Sequence, residues 1–501
     1  MISLRSRYVF APIIFALLTL ILLSLRFSLG PISSEPPPPP PPAENVKKFK
    51  PAKEPPPPPL PEYFPLAANA LSPADIPPVP SWNRPPTPHV PETTRLYIGF
   101  TRYWPLLQQV VLSYIAGGWP PEDIYVIENT GTFDANKRGL LTSQNPFYLD
   151  YKRLTEVFGV NVITMPSLQT FAQLQNFYLS EAINNDLKYY FWGHMDVALV
   201  PHEEKEPYRS LYQIAVDTIR ESQEDDFERD PETGKKKMWA IRFFAYDWFA
   251  LVNAEAYQKV GGWDSMIGYY GTDCDMHSRL KMNELVSPIA DAAMVYDVSR
   301  SLDDLELLFR RRKKTSGSTE NPGAEGTPRL VKDDLDAEIE RRLWGEGNST
   351  SRPSPEEDDE HTTSDSHKLS DDHKASSFLP HSSSSSPSST SPSTPEIRAY
   401  LDETEEDTRG GPAYQHLKDT LEALAQEKRD DPYRNSWQLK QRGGQGEPYY
   451  YDADGWEKAL QMTIEAGVRI NEEKWGHRGC DLVGEGQRKE GEQWMLEHDW
   501  E

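Results

Sequence analysis

The sequence predicts an α/β domain over residues 95–300, with a mostly parallel sheet flanked by helices. Three observations carry that expectation. Short runs rich in β-branched and aromatic residues recur at Leu96–Phe100 (LYIGF), Ile124–Ile127 (IYVI), Val160–Thr164 (VNVIT) and Lys188–Pro201 (KYYFWGHMDVALVP). Helix-length segments with apolar residues at i, i+3 and i+4 separate them. Such alternation is what helical crossovers between parallel strands require.

The chain ahead of this domain reads as three pieces. Residues 1–7 form a short basic tail carrying Arg5 and Arg7, and residues 8–25 are an uncharged apolar run closed by Arg26. A run of about 18 residues is long enough to cross the hydrocarbon core. The flanking arginines keep the tail cytoplasmic, so the remainder faces a lumen or the exterior. A cleaved signal peptide is the competing reading; the length of the run and the lack of an A-x-A site favour an uncleaved anchor. Residues 26–94 follow as a proline-rich stalk, with unbroken runs at Pro36–Pro42 and Pro55–Pro59. Such sequence adopts extended polyproline II and serves as a spacer.

Within the domain, Leu106–Ala116 is helical after the first strand, and Tyr151–Phe158 is helical before the third. A helix over Leu168–Asn185 leads into the Lys188–Pro201 segment. A further helix is expected at Tyr208–Glu221 and strands at Met238–Phe244, Phe249–Asn253 and Ala292–Tyr296. Residues 301–400 read as disordered. They hold the basic run Arg310–Lys314, the acidic run Glu356–Glu360, a serine tract and the glycosylation sequon Asn348–Thr350. Such composition cannot bury a core. Residues 401–501 regain structure, with helices at Glu422–Lys428 and Trp456–Val468 and a tryptophan-rich end that suggests docking onto the domain.

Composition narrows the functions. Fifty-three basic against 78 acidic side chains give a net charge of -25. Nucleic acid is a poor partner for such a chain, because phosphate binding needs clustered Lys and Arg. The two cysteines, Cys274 and Cys480, form either one long-range bridge in an oxidising lumen or two buried free thiols.

The chemistry gathers at strand ends, where open α/β sheets bind their ligands. His194 and Asp196 stand two apart where the apolar Tyr189–Val200 segment turns polar. In a strand such residues share a face, so one ion can meet both. A buried carboxylate needs a partner, and the alternative is a turn-capping Asp196 beside a core histidine. Glu128 and Asn129 end the second strand. Gly261–Gly262–Trp263–Asp264 forms a tight turn, and Asp273 and Asp275 open a helix, where they act chemically or as N-caps.

The order of these features resembles the GT-A nucleotide-sugar glycosyltransferases, with their Rossmann-like sheet, and the family 2 type in particular, over Arg95–Val298. Three segments carry the resemblance: Asn176–Ala182 leading to Asp196, the Gly261–Asp264 turn, and Thr272–Leu280 (TDCDMHSRL). It implies a transferase that moves a sugar from a nucleotide-sugar donor to a glycan or glycoprotein acceptor. With the anchor and stalk, it implies a single-pass type II protein of the Golgi or ER membrane whose domain is lumenal. By the same resemblance Asp196, with His194, ligates Mn²⁺ or Mg²⁺ on the donor diphosphate, and Glu128, Asn129 and Asn176 bind the donor. Trp263 and Asp264 meet the sugar or acceptor, and Asp273, with Asp275, is the catalytic base. The chain departs from the pattern at His194, at Thr272 and at Asp297. Asp297 is a third ligand or a turn residue, and His477 is a candidate for the missing imidazole. The reading expects Asp196→Ala to abolish activity with little loss of stability. The alternatives are a sugar- or nucleotide-binding protein without turnover and a structural cell-surface protein.

Overall fold

The computed structural model describes residues 16–24, 60–132, 134–230, 232–314, 394–432, 435–438 and 453–500. The chain divides into two units, Met1–Pro55 and Pro56–Glu501. In the first, residues 16–24 form a helix whose leucines, Leu17 to Leu23, are exposed. Among the described residues no helix is long and apolar enough to cross a membrane. The rest of the span expected at 8–25 lies outside them, as do both proline runs and residues 315–393 with their sequon.

The second unit is organised on six strands: β1 (Leu96–Phe100), β2 (Ile124–Glu128), β3 (Asn161–Thr164), β4 (Tyr189–Gly193), β6 (Ile241–Ala245) and β7 (Phe249–Asn253). They lie in the order β3-β2-β1-β4-β7-β6. β3, β2, β1 and β4 pair in parallel, while β7 runs antiparallel to both its neighbours. Two further strands, β5 (Val197–Val200) and β8 (Met294–Asp297), leave this sheet and form their own antiparallel ladder. The Lys188–Pro201 segment is therefore two strands in two sheets, with His194–Asp196 as the corner between them.

Helices cover both faces. On one side α1 (Trp104–Ala116) and α3 (Leu211–Gln223) pack with Leu96, Ile98 and Phe100. On the other, α2 (Phe171–Asn184), α4 (Ala254–Lys259) and α5 (Thr272–Met282) pack with Tyr97, Tyr190 and Trp192. Side chains of a strand alternate between faces, so β1 feeds both cores and reads as continuously apolar. Pro105 in the first turn of α1 suits the start of a helix, and α2 and α3 begin with capping boxes, Thr170 with Gln173 and Ser210 with Gln213.

The packed unit is larger than residues 95–300. Phe64, Ala67, Ala70 and Ile76 are buried in the main core, so the spacer expected over 26–94 includes chain packed on the domain from Tyr63 onward. Leu302, Leu305, Leu308 and Phe309 are also core residues, and Arg310 is buried against Glu203 with Nε 3.0 Å from Oε1. The basic run expected to be disordered instead forms β9 (Arg311–Lys313), paired with β10 (Thr404–Glu406). A large apolar interior, rather than composition alone, decides order here.

After α6 (Pro395–Glu403) come α7 (Pro412–Asp430) and α8 (Ala453–Trp475), both longer than the sequence suggests. The buried stripe of α7 is Tyr414, Leu417, Leu421, Leu424, Ala425 and Lys428. Cys274 in α5 and Cys480 after α8 form a disulfide, which ties the C-terminal segment to the domain.

Candidate functional site

The strand order reverses direction between β1 and β4, and open α/β sheets place their ligands beyond the carboxyl ends of the strands at such a point. His194 follows β4 directly, its backbone N–H donating to Trp248 O at 3.0 Å. Asp196 precedes β5. The β5–β8 ladder sets Val197 opposite Asp297, and Val298 N donates to Asp196 O at 2.9 Å. The ladder thus sets Asp196 and Asp297 on adjacent rungs.

The cation between them is Lys428, near the end of α7. Its Nζ lies 2.8 Å from Asp196 Oδ2 and 2.5 Å from Asp297 Oδ1, with Val298 O at 3.4 Å. The lysine side chain is 2% exposed. His194 Nδ1 stands 3.6 Å from Asp196 Oδ1. Burial opposes the charge on Asp196, but Lys428 and His194 outweigh it and hold the carboxyl well below its usual range. Burial likewise opposes protonation of His194, yet Asp196, Asp247 and Asp297 raise its affinity for a proton. Lys428 is raised in the same way by its two carboxylates.

These residues do not fit a divalent ion while the lysine is in place. An ammonium already takes one oxygen from each carboxylate, and a second cation there would be repelled by it. Among the described residues no group of three or more His, Cys, Asp or Glu is arranged to hold a metal. The expected Mn²⁺ or Mg²⁺ ligands His194 and Asp196 are therefore found with a lysine partner, and Asp297, expected as a third ligand or a turn residue, ends β8 and shares that lysine.

A chain of ring contacts joins this corner to the other motif segments. Phe171 contacts both His194 and Trp263, at 6.0 and 5.5 Å between ring centroids, and Trp263 contacts His277 at 5.9 Å. His277 is one turn beyond Asp273 in α5. Among the described residues, His194 Nε2, Trp192 Nε1, Trp263 Nε1 and both ring nitrogens of His277 are buried without a hydrogen-bond partner. Such orphaned atoms are uncommon in folded proteins. Asp273 is half-buried and accepts from Tyr246 Oη at 3.2 Å.

The remaining motif residues hold the walls. Glu128 is buried and accepts from Thr130, Asn136 and Tyr151. Asn129 clasps the backbone of Gln169, accepting from its N–H at 2.7 Å and donating to its carbonyl at 2.9 Å. Asn176 does the same for Trp263, with both bonds at 2.8 Å, and a Cβ at Gly262 would strike Asn176 Oδ1. Trp263 is buried among Phe171, Tyr257 and His277, so it shapes the wall instead of offering a ring face. Asp275 is fully enclosed, accepting from Arg279, Lys474 and Trp475. Asp264 accepts from Lys474 at 2.8 Å; burial opposes its ionisation, but this ammonium keeps its carboxyl below the usual range.

The sequence reading missed the residues that the C-terminal segment contributes: Lys428, Lys474, Trp437 and Glu457. Arg102, just beyond β1, pairs with Glu457, donates to Gln438 O at 3.0 Å and lies over the Trp456 ring. Lys428 was visible in principle. It continues the 3-4-3-4 spacing of Tyr414, Leu417, Leu421 and Leu424, a stripe on which a charge needs a buried partner. His477 is not at the corner; its Nδ1 meets Asp499 at 2.7 Å. A cavity of 580 Å³ opens elsewhere, lined by Asp217, Arg220, Glu221 and Arg242, and includes none of the motif residues.

Neither a protein-family model nor a curated protein matches the chain. Among solved structures it is similar to the mannosyltransferase PcManGT from Pyrobaculum calidifontis in complex with GDP-Man and Mn²⁺, at 14% identity over 42% of this chain and 58% of that one, with a TM-score of 0.26. It is also similar to S. aureus TarS, at 8% identity over 40% of this chain and 36% of that one, TM-score 0.27. A third is the catalytic domain of Drosophila beta1,4galactosyltransferase 7 in complex with xylobiose, at 12% identity, 40% and 65% coverage and TM-score 0.20. The chain spans between 36% and 65% of the length of these three proteins.

Proposed function

We propose that the chain is a glycosyltransferase that takes a nucleotide-sugar donor at the carboxyl ends of β1 and β4 and passes the sugar to a glycan or glycoprotein acceptor. One observation carries the reading: a run of ring contacts through His194, Phe171, Trp263 and His277 joins the Asp196 corner to the Gly261–Asp264 turn and the start of α5. In this reading Asp273, half-exposed at a helix start, takes the proton of the acceptor hydroxyl as that oxygen bonds to the sugar carbon and the nucleoside diphosphate leaves. Glu128, Asn129 and Asn176 position the loops around the donor, and Asp264 and Asp275 position α5 through Lys474.

A lumenal location at the Golgi or ER membrane belongs to the same proposal. The Cys274–Cys480 bridge supports an oxidising compartment, and the apolar residues 8–25 support an anchor. The test is sugar transfer from UDP- and GDP-sugars by the full chain and its Asp273→Asn variant. Transfer lost in the variant, with nucleotide binding kept, supports the base assignment. A second reading, nucleotide or sugar binding without turnover, is favoured by the lysine set between Asp196 and Asp297. Binding with no transfer from any donor would select it.

A further inference from the structure

We infer that Lys428 is the resident cation of the Asp196 corner, so that the chain takes its donor there without a divalent ion. The inference rests on the donor-site reading above, but its central claim concerns metal binding and stands apart from catalysis. The geometry supplies three arguments.

First, the two carboxylates that would ligate an ion, Asp196 and Asp297, each give an oxygen to the same ammonium, at 2.8 and 2.5 Å. A lysine ammonium offers three donors in a compact point charge, and Val298 O is placed to receive the third at 3.4 Å. Second, the lysine is not a mobile surface residue. It is carried on a helix of 19 residues anchored in the main core by Tyr414, Leu417, Leu421, Leu424 and Ala425, and its Nζ lies 6.0 Å from the Trp437 ring. To vacate the corner the lysine would have to abandon both carboxylates and leave them buried without a counter-charge, which is strongly unfavourable. Third, the His194 imidazole sits beside this pair, 3.6 Å from Asp196, and adds a nitrogen and no negative charge to what a metal would meet. A hard divalent ion prefers several oxygen ligands. Here the oxygens are shared with a lysine and the remaining neighbour is a nitrogen.

The test is direct titration of Mn²⁺, alone, into the full chain, followed by the paramagnetic signal of the free ion and by thermal shift. Four proteins are compared: wild type, Asp196→Asn, Lys428→Met and Lys428→Met/Asp196→Asn. The expected result is no Mn²⁺ binding by wild type beyond that of Asp196→Asn, binding of one ion by Lys428→Met with a rise in its melting temperature, and loss of that ion in the double variant. Wild-type binding of Mn²⁺ that Asp196→Asn removes would overturn the inference. So would a folded Lys428→Met that gains no ion. If Lys428→Met does not fold, the wild-type arm decides by itself.

A second titration, of UDP and GDP into wild type in EDTA and in Mn²⁺, separates this inference from the functional proposal. Equal affinity in the two conditions supports the lysine; affinity that depends on Mn²⁺ overturns it. Absence of nucleotide binding in both conditions would sink the transferase reading, while the Mn²⁺ titration would still decide the role of Lys428.

Discussion

Lys474 of α8 places its ammonium 2.6 Å from the carboxylate of Asp275, a residue 199 positions earlier in the chain. The same Nζ reaches Asp264 at 2.8 Å, so one lysine joins the Gly261–Asp264 turn to the start of α5. Asp275 has no exposed surface and Lys474 is 7% exposed. Lys474→Met leaves Asp275 with Arg279 and Trp475 as donors, so what is lost is one charged hydrogen-bond partner and not the whole counter-charge. The substitution is therefore expected to lower stability by about 1–3 kcal/mol, as read by urea unfolding. A loss under about 1 kcal/mol would show that the pair is exposed to solvent and weak.

The disulfide is expected to act in the same direction. Cys274 and Cys480 are 206 residues apart, and closing so long a loop restricts the unfolded chain more than a short one. Cys480→Ser should cost about 2–5 kcal/mol, measured as the denaturation midpoint without reductant. Wild type in dithiothreitol should fall to the same midpoint.

Glu306 gives a pH dependence with a defined sign. Burial, with help from the charge of Asp304, pushes its carboxyl up from 4.5 to about 7. The native state thus holds a proton that the unfolded chain has released. Its contribution to stability is complete below about pH 4.5 and is lost as pH rises toward 7. Glu306→Gln should flatten that part of the stability profile. A variant profile parallel to wild type between those limits would contradict the assignment.

Asp196→Ala illustrates how the structure alters an expectation drawn from sequence. A carboxylate that held only a dissociable ion could be removed at little cost to the fold. Asp196 instead neutralises the buried Lys428, so the substitution should cost about 1–3 kcal/mol, with Asp297 retaining part of the pairing. Circular dichroism during thermal unfolding measures this.

The legible part of the molecule was what local chemistry controls. Leu96–Phe100 and Phe249–Asn253 match their strands residue for residue, because apolar runs bounded by polar residues leave little choice of register. The strand-end position of Asp196 followed from the same pattern. What was not legible depended on distant partners. Nothing local to Asp196 announces Lys428, since the two are 232 residues apart. Proline content marked residues 60–94 as a spacer, whereas Phe64 lies in contact range of Phe158 and Phe309 and is held by packing. Arg310 reads as part of a solvated basic run until Glu203 is placed beside it.

The most direct measurement is calorimetric titration of UDP and GDP, and of their sugar conjugates, into the full chain and into Lys428→Met, both in EDTA. The account predicts saturable binding of at least one nucleoside diphosphate by wild type, weakened in a folded Lys428→Met. Binding that the variant leaves unchanged, or no saturable binding of either nucleotide, would contradict a donor site at the carboxyl ends of β1 and β4.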